Sequence, residues 1–376
     1  MERSHRAKGL VRLTMACNER CPFCNVPAED YPTRPTPEEE IERQVQALVA
    51  VGEQTLTVSG GEPTLLRRRL VTLVRRARRD MPFVEVQTNA VLLDDAYVAE
   101  LKEAGLTSAF VSLLSHVPAL HDELAGLEGA FSRCVAGIRA LLKAGLRVTL
   151  NPVFARQTHD TVVEYVRWVQ DELPGVDSIS LSAVQPHGRA AHHPELLPDY
   201  AVLGPQVAEA RTLGVPLLNP FCGLPLCAGW ADVADQRIRE AGPTLENAGN
   251  KSHGRPCIDC TLRPACPGAW HAYWTTRRGS GLQAVGPKSA PWSGGPMRQG
   301  AVVWGQTDVA MRFSREALAY TGDRPLTIGV FGGSEEIALE ATRRALEVAE
   351  RVELRGHDAL ATRLARAGLP VSIARG

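Results

Sequence analysis

The chain has 376 residues, of which 44% are apolar and 22% charged, and its formal net charge at pH 7 is zero. This composition can bury a large core, and the charge balance gives no electrostatic case for nucleic acid or an anionic membrane as partner. No run approaches the roughly 20 apolar residues that span a bilayer, and the charged start, Met1 to Lys8, leads into no signal core. The length predicts one large domain with an appendage. Nine cysteines without a secretion signal point to a reducing, cytoplasmic setting in which clustered cysteines bind metal.

From Gly9 to Val184, short β-rich runs alternate with amphipathic stretches. The pattern predicts strands at 10–15, 54–58, 83–87, 108–113, 146–153 and 178–184, and helices at 37–51, 65–79, 94–104, 131–144 and 158–173. Six strands with five long helical crossovers predict a parallel α/β sheet.

Directly after the first strand comes Cys17-Asn18-Glu19-Arg20-Cys21-Pro22-Phe23-Cys24. Thiolates with three and then two residues between them can converge on one metal centre. Three ligands are one short of a closed structural zinc shell, and no other Cys or His lies between Leu10 and the proline-rich stretch 32–37. A four-iron cluster held by three cysteines instead keeps one iron open. The second strand ends in Ser59-Gly60-Gly61-Glu62-Pro63-Thr64. Its glycines permit close backbone approach, and its carboxylate can accept from an ammonium group. The helix at 65–79 carries seven arginines that are not confined to one narrow face, which predicts a solvated outer helix rather than an RNA-binding stripe. Thr88 and Asn89 follow the third strand, while Ser112, Asn151 and Val184 end the fourth, fifth and sixth. The carboxyl ends of parallel strands share one face, where barrel enzymes assemble their sites. His116 and His121, after the fourth strand, are candidates to touch a substrate there. Cys134 reads as a small buried hydrophobe.

A second group of cysteines follows the barrel pattern: Cys222, Cys227, Cys257, Cys260 and Cys266. Zinc in a closed shell and an iron–sulfur cluster would use the same thiolates, and both stand on the residues alone. His271 reads as a structural histidine. Residues 279–300 hold twelve Gly, Pro or Ser among twenty-two, a linker or substrate-covering segment. The tail beyond it has a β-α-β-α-β pattern. There, Gly332-Gly333-Ser334 at a helix start suits phosphate, but Glu335 and Glu336 put negative charge where the anion would sit, so a docking or recognition module is expected.

The triplet Cys17, Cys21, Cys24, with Phe23 before its last member, resembles the cluster loop of the radical S-adenosylmethionine (radical SAM) enzymes. Gly60-Gly61-Glu62 resembles the turn that binds the methionyl amino group in that family. The resemblance implies a partial (β/α)6 TIM-like barrel, a [4Fe-4S] cluster on the three cysteines and S-adenosylmethionine as cosubstrate. It also implies cosubstrate contacts from Gly60, Gly61, Glu62, Pro63, Thr88, Asn89, Ser112, Asn151 and Val184. Cys257-x2-Cys260-x5-Cys266-x-Gly268, followed by Trp270 and Tyr273, resembles the auxiliary-cluster module of SPASM and twitch-type members. The run Gln185-Pro186-His187-Gly188-Arg189-Ala190 resembles the connection that leads into it.

The expected organisation is therefore a barrel core over 1–200, an auxiliary [4Fe-4S] module over 201–280, a linker over 281–323 and a small α/β tail over 324–376. The implied reaction is reductive cleavage of S-adenosylmethionine to a 5′-deoxyadenosyl radical that abstracts a substrate hydrogen. The electron would come from a donor such as ferredoxin or flavodoxin. A ribosomally made peptide is the first expectation for the substrate, and a small molecule of cofactor biosynthesis the second. The auxiliary cysteine spacing and the missing double-glycine tail depart from the molybdenum-cofactor GTP cyclase. A zinc-binding interaction protein is the reading from another class. It explains the cysteines but neither the Gly60–Glu62 turn nor the barrel pattern.

Overall fold

The computed structural model describes residues 9–32, 34–219, 224–231, 251–257, 260, 266, 268–285, 299–304, 327–331, 335–346 and 351–373. They fall into two compact units, Met1–Leu224 and Pro225–Gly376.

The first unit is built on seven parallel strands in the order β1 (Gly9–Thr14), β2 (Thr55–Gly60), β3 (Phe83–Thr88), β4 (Ser108–Val111), β5 (Arg147–Leu150), β7 (Ser178–Ser180) and β9 (Leu217–Leu218). A short parallel pair, β6 (Val153–Phe154) with β8 (Ser182–Ala183), follows the ends of β5 and β7. Asn151-Pro152 separates β5 from β6, as expected where proline has no N–H to give to a ladder. The crossovers run through α1 (Glu38–Ala50), α2 (Arg67–Ala77), α3 (Asp95–Ala104), α4 (Pro118–Ala125), α5 (Ala130–Lys143), α6 (Val162–Glu172) and α7 (Tyr200–Ala210).

Strands adjacent in sequence are adjacent in the sheet, and right-handed crossovers then put the helices on one face. That face is apolar: Val11, Leu56, Val84, Ala109, Val148 and Ile179, one from each of six strands, are fully buried. The other face is polar. Thr57 donates to Glu85 at 3.4 Å, and the Thr149 and Ser178 hydroxyls lie 3.0 Å apart. One covered apolar face and one polar face, with β1 and β9 at opposite edges, make an open barrel whose interior can hold polar ligands.

All six predicted strands and five predicted helices are present, within a few residues at each end. Three elements were not predicted. Helix α4 has only eight residues, too few for periodicity to register, and is delimited by Pro118 and by Gly126 at φ +63°. In α7, Pro205 sits inside the helix and hides it from a sequence reading. Strand β9 has two residues. Together α7 and β9 carry the first unit to Leu224, past the limit expected at residue 200. The arginines of α2 pair outward with acidic neighbours, Arg67 with Glu100 at 2.9 Å and Arg76 with Glu42 of α1, as a solvated outer helix should.

In the second unit, β10 (Lys251–Ser252) pairs antiparallel with β11 (Ala269–Trp270), which leads into the helix His271–Arg277. A parallel sheet of β12 (Gln299–Trp304), β13 (Thr327–Phe331), β14 (Arg351–Arg355) and β15 (Val371–Ile373) forms the tail. Its helices are Glu335–Leu346 and Asp358–Arg366. The β-α-β-α-β reading of the tail matches, with β12 added from the stretch read as a linker. Residues 286–298 and 332–334 lie outside the described residues. Among the described residues no helix is long and apolar enough to cross a membrane.

One close contact locks α5 to the site end of the sheet. Ala90, just past β3, holds φ +60°, a left-handed conformation that strains a non-glycine residue. A Cβ on Gly137 of α5 would stand 2.3 Å from the Ala90 carbonyl oxygen. We therefore expect Gly137→Ala to lower stability by about 2 kcal/mol in chemical denaturation. An unchanged midpoint would mean that the Ala90 turn yields instead.

Candidate functional site

The ends of β1 and β2 meet without room for side chains. A Cβ on Gly60, at φ +143°, would lie 1.9 Å from the Thr14 carbonyl oxygen, and one on Gly61 2.2 Å from that of Ala16. The approach is sealed by Gly61 N–H donating to Thr14 O and Glu62 N–H to Ala16 O, both at 2.8 Å. The cysteine loop leaves from this junction, so its base is fixed.

Glu62 is 1% exposed and accepts from four donors. Its Oε1 accepts from the Thr64 N–H at 2.9 Å, the Thr64 hydroxyl at 2.5 Å and the Thr88 hydroxyl at 2.8 Å, and its Oε2 accepts from the Asn89 N–H at 2.8 Å. Burial pushes its carboxyl up against the pull of these donors. With three donors on Oε1 and one on Oε2, Glu62 ties the end of β2 to the end of β3. Pro63 opens the turn that follows and is buried. The Asn89 amide donates to Asn18 in the cysteine loop at 2.8 Å. Ser112 N–H donates to Thr88 O at 3.0 Å and Asn151 N–H to Val111 O at 2.8 Å, while the Asn151 side chain accepts from Ser182 at 2.7 Å. Val184 is buried, with its N–H on Phe154 O at 3.0 Å. These residues lie at the carboxyl ends of neighbouring strands.

The three thiols of the loop are all raised in pKa, and neighbouring thiols contribute to the rise at Cys17 and Cys21. Cys17, though exposed as a residue, has its thiol pushed up to about 11, chiefly by burial and then by Glu62, Glu19 and Cys24 against one backbone donor. Cys21 is raised well above the ordinary thiol value by burial, then by Glu19, Cys24 and Cys17. Cys24 is raised by burial, against the lowering pull of the Val26 backbone and Arg189. Thiols that resist ionisation in each other's company suit a cation that would hold all three as thiolates. Glu19 joins this group unanticipated: burial and Glu62 push its carboxyl up to about 7, and the Cys21 thiol donates to it at 3.6 Å. Cys134 is fully buried with its thiol on Ser112 O at 3.8 Å, the packing role expected of it.

The second unit gathers Cys227, Cys257, Cys260 and Cys266 around one small cavity, with His253 and Gly268. Burial, then Cys266, Cys227 and Cys260, push Cys257 up to about 12, and Cys266 reaches about 11, chiefly by burial. Backbone N–H groups point at the sulfurs: Leu226 and Gly268 on Cys266, and Val285 on Cys260, each at 3.4 Å. Such donors stabilise and tune metal-bound thiolates. A Cβ on Gly268, at φ +78°, would lie 2.4 Å from Ser252 O, so β10 and the last cysteine can approach only across a glycine. His253, which sequence reasoning missed, has a ring nitrogen 2.9 Å from Cys266 O. His271 instead starts the helix after β11. Cys222 lies outside the described residues. Among the described residues no three Cys, His, Asp or Glu side chains are gathered tightly enough to hold a single metal ion. A cluster in which each thiolate takes a different iron does not need that convergence.

His121 is a buried core residue of α4. Its Nδ1 accepts from Leu114 N–H at 3.2 Å, and its ring lies edge-on to Phe131 at 5.7 Å. His116 lies edge-on to Tyr165 at 6.4 Å.

Residues 11–169 match the family described as the Radical SAM superfamily. A probable GTP 3′,8-cyclase of Sulfurisphaera tokodaii is 34% identical over 181 residues, covering 47% of this chain and 56% of that protein. A PqqA peptide cyclase of Granulibacter bethesdensis is 29% identical over 180 residues, covering 48% of this chain and 47% of that protein. The chain thus spans about half the length of these curated relatives. Among solved structures, Streptococcus suis SuiB bound to its precursor peptide SuiA aligns with a TM-score of 0.47 and 18% identity, covering 60% of this chain and 50% of that one.

Two outcomes are expected from the buried groups. Glu62→Gln should cost about 1–3 kcal/mol, because an amide cannot accept from all four donors; denaturant titration reads it. Burial holds His121 down to about 4 from an ordinary 6.5. The unfolded chain therefore takes up the proton first, so the stability from neutral His121 is complete above pH 6.5 and drains away as pH falls towards 4. Wild type should lose roughly 3 kcal/mol more than His121→Asn across that window. Parallel pH profiles for the two proteins would refute this.

Proposed function

Residues 11–169 form a radical SAM domain, and on that premise we propose that the chain is an enzyme that reductively cleaves S-adenosylmethionine. Cys17, Cys21 and Cys24 would hold a [4Fe-4S] cluster with one iron open. Bound there, the cosubstrate accepts one electron at its sulfonium and yields a 5′-deoxyadenosyl radical able to take a hydrogen atom from a substrate. The protein's part is to orient and to exclude water. The single observation that carries this reading is the convergence of the three-thiol loop, the Gly60–Gly61 approach and the Glu62 clamp at one end of the open barrel. The backbone of that turn and Oε2 of Glu62, which takes a single hydrogen bond, would be the candidates to meet the ammonium of the cosubstrate. Thr88, Asn89, Ser112 and Asn151 are the candidates for its ribose and carboxylate.

Cys227, Cys257, Cys260 and Cys266 would hold a second [4Fe-4S] cluster. Four thiolates complete the shell and leave no open iron, which fits electron transfer better than substrate ligation. In that role the second cluster accepts the electron that a substrate radical must lose to become a closed-shell product. A ribosomally made peptide remains the first substrate reading, because it needs no open iron in the second unit and follows the SPASM-like resemblance of 257–273. Cofactor biosynthesis on a small molecule is the second reading, favoured by the identity to a GTP 3′,8-cyclase. An external one-electron donor is required in either case.

The test is metal analysis and turnover of anaerobically reconstituted protein with dithionite and S-adenosylmethionine. About eight iron per chain and release of 5′-deoxyadenosine are expected. Cys17→Ala should abolish release, and Cys260→Ala should spare cleavage while removing product. A colourless, zinc-loaded protein giving no deoxyadenosine would end the proposal. Consumption of GTP, against modification of a short peptide encoded beside this chain, separates the two substrate readings.

A further inference from the structure

The cysteine loop does not hold its own shape. Within it, a single backbone turn bond joins Cys24 N–H to Cys21 O, at 3.2 Å. Its remaining anchors come from remote parts of the chain. On one side the end of α4 closes in: Arg20 N–H donates to Ala125 O at 2.9 Å, and the Cys21 thiol points at the same oxygen at 3.8 Å. On the other side comes Gly188-Arg189, from the segment after β8.

Three observations make that second contact specific. Arg189 N–H donates to Cys24 O at 2.9 Å, and its Nη1 donates to Cys21 O at 2.9 Å, so one residue holds the backbone of two cysteines. The other edge of the guanidinium, Nε and Nη2, grips the Glu29 carboxylate at 2.6 and 2.5 Å. Gly188 stands at φ +56°, and a Cβ there would lie 2.4 Å from Cys24 O and 2.8 Å from the Asn25 carbonyl carbon. The approach is therefore backbone to backbone, and the guanidinium is largely covered, its side chain 17% exposed.

We propose that Arg189 is a positioning residue for the first cluster: it fixes the backbone of Cys21 and Cys24 and brings a permanent positive charge, paired with Glu29, to the loop that carries their sulfurs. The proposal rests on the reading that Cys17, Cys21 and Cys24 hold that cluster. Only a guanidinium can serve both partners, since its fixed fork addresses a carboxylate on one edge and a carbonyl on the other. Lysine would keep the charge and lose the fork. Methionine would keep the aliphatic length and lose both. Reduction adds an electron to the cluster, so a nearby cation favours the reduced form and raises the potential.

The experiment uses the full chain, reconstituted with iron and sulfide, and follows the electron paramagnetic resonance signal that changes on adding S-adenosylmethionine. That response marks the open cluster and separates it from the closed one. In Arg189→Met the responsive signal should be lost to an iron chelator about tenfold faster than in wild type, and its midpoint potential should move to more negative values. In Arg189→Lys the potential should stay near wild type while chelator sensitivity rises as in the methionine variant. The non-responsive signal should be unchanged in both, which controls for global misfolding. If the wild type shows the responsive signal and Arg189→Met matches it in lability and potential, the proposal is overturned and the cluster reading survives. If the wild type shows no responsive signal, the cluster reading fails and the proposal falls with it.

Discussion

The candidate site depends on one buried carboxylate. Glu62 accepts four hydrogen bonds from three residues on two strand ends, at a point where β1 and β2 already touch through glycine. A carboxylate with this much donation is costly to leave unsatisfied and costly to replace. Its effect is geometric. It fixes the distance between the turn after β2 and the turn after β3, and Asn89 passes that constraint on to the cysteine loop through Asn18. Below this level the strands only need apolar residues on the helix side. Above it, the positions of individual atoms matter.

The two cysteine groups are built differently from the same side chain. The first offers three sulfurs on eight consecutive residues and borrows its rigidity from distant segments. The second draws four sulfurs from a span of forty residues, Cys227 to Cys266, and surrounds them with their own backbone N–H groups. Under the proposed reading, the first site would be short of ligands so as to admit a cosubstrate, and the second, needed only to store an electron, would close on itself. The gathering of Cys227, Cys257, Cys260 and Cys266 could not be read from spacing, because β10–β11 pairing and the Gly268 contact help bring them together, and both depend on the fold.

Much of the architecture was legible in the sequence because a parallel barrel repeats one local rule, an apolar strand followed by an amphipathic helix. The rule failed where segments were short or interrupted: eight-residue α4, α7 with its internal Pro205, and two-residue β9. The residues singled out by a dense motif, the cysteines, the glycines and Glu62, lie together at one end of the sheet. The donors on Glu62 were not legible, because Thr88 and Asn89 come from the next strand end, which only the fold brings near. His253 had no local signal for its role, and the Gly188-Arg189-Ala190 motif pointed along the chain rather than to the cysteine loop, since each acts on residues that only the fold brings near.

The support of the cysteine loop also has a consequence in time. Two of its outside anchors, Ala125 and Arg189, lie 104 and 168 residues downstream of Cys21. During synthesis at about 5–20 residues per second, the three cysteines emerge first and wait roughly ten to thirty seconds for the arginine that holds them. Until then the loop lacks these two supports. The finished loop is thus a late product of chain growth, so its three cysteines have their full cradle only after the barrel is nearly complete.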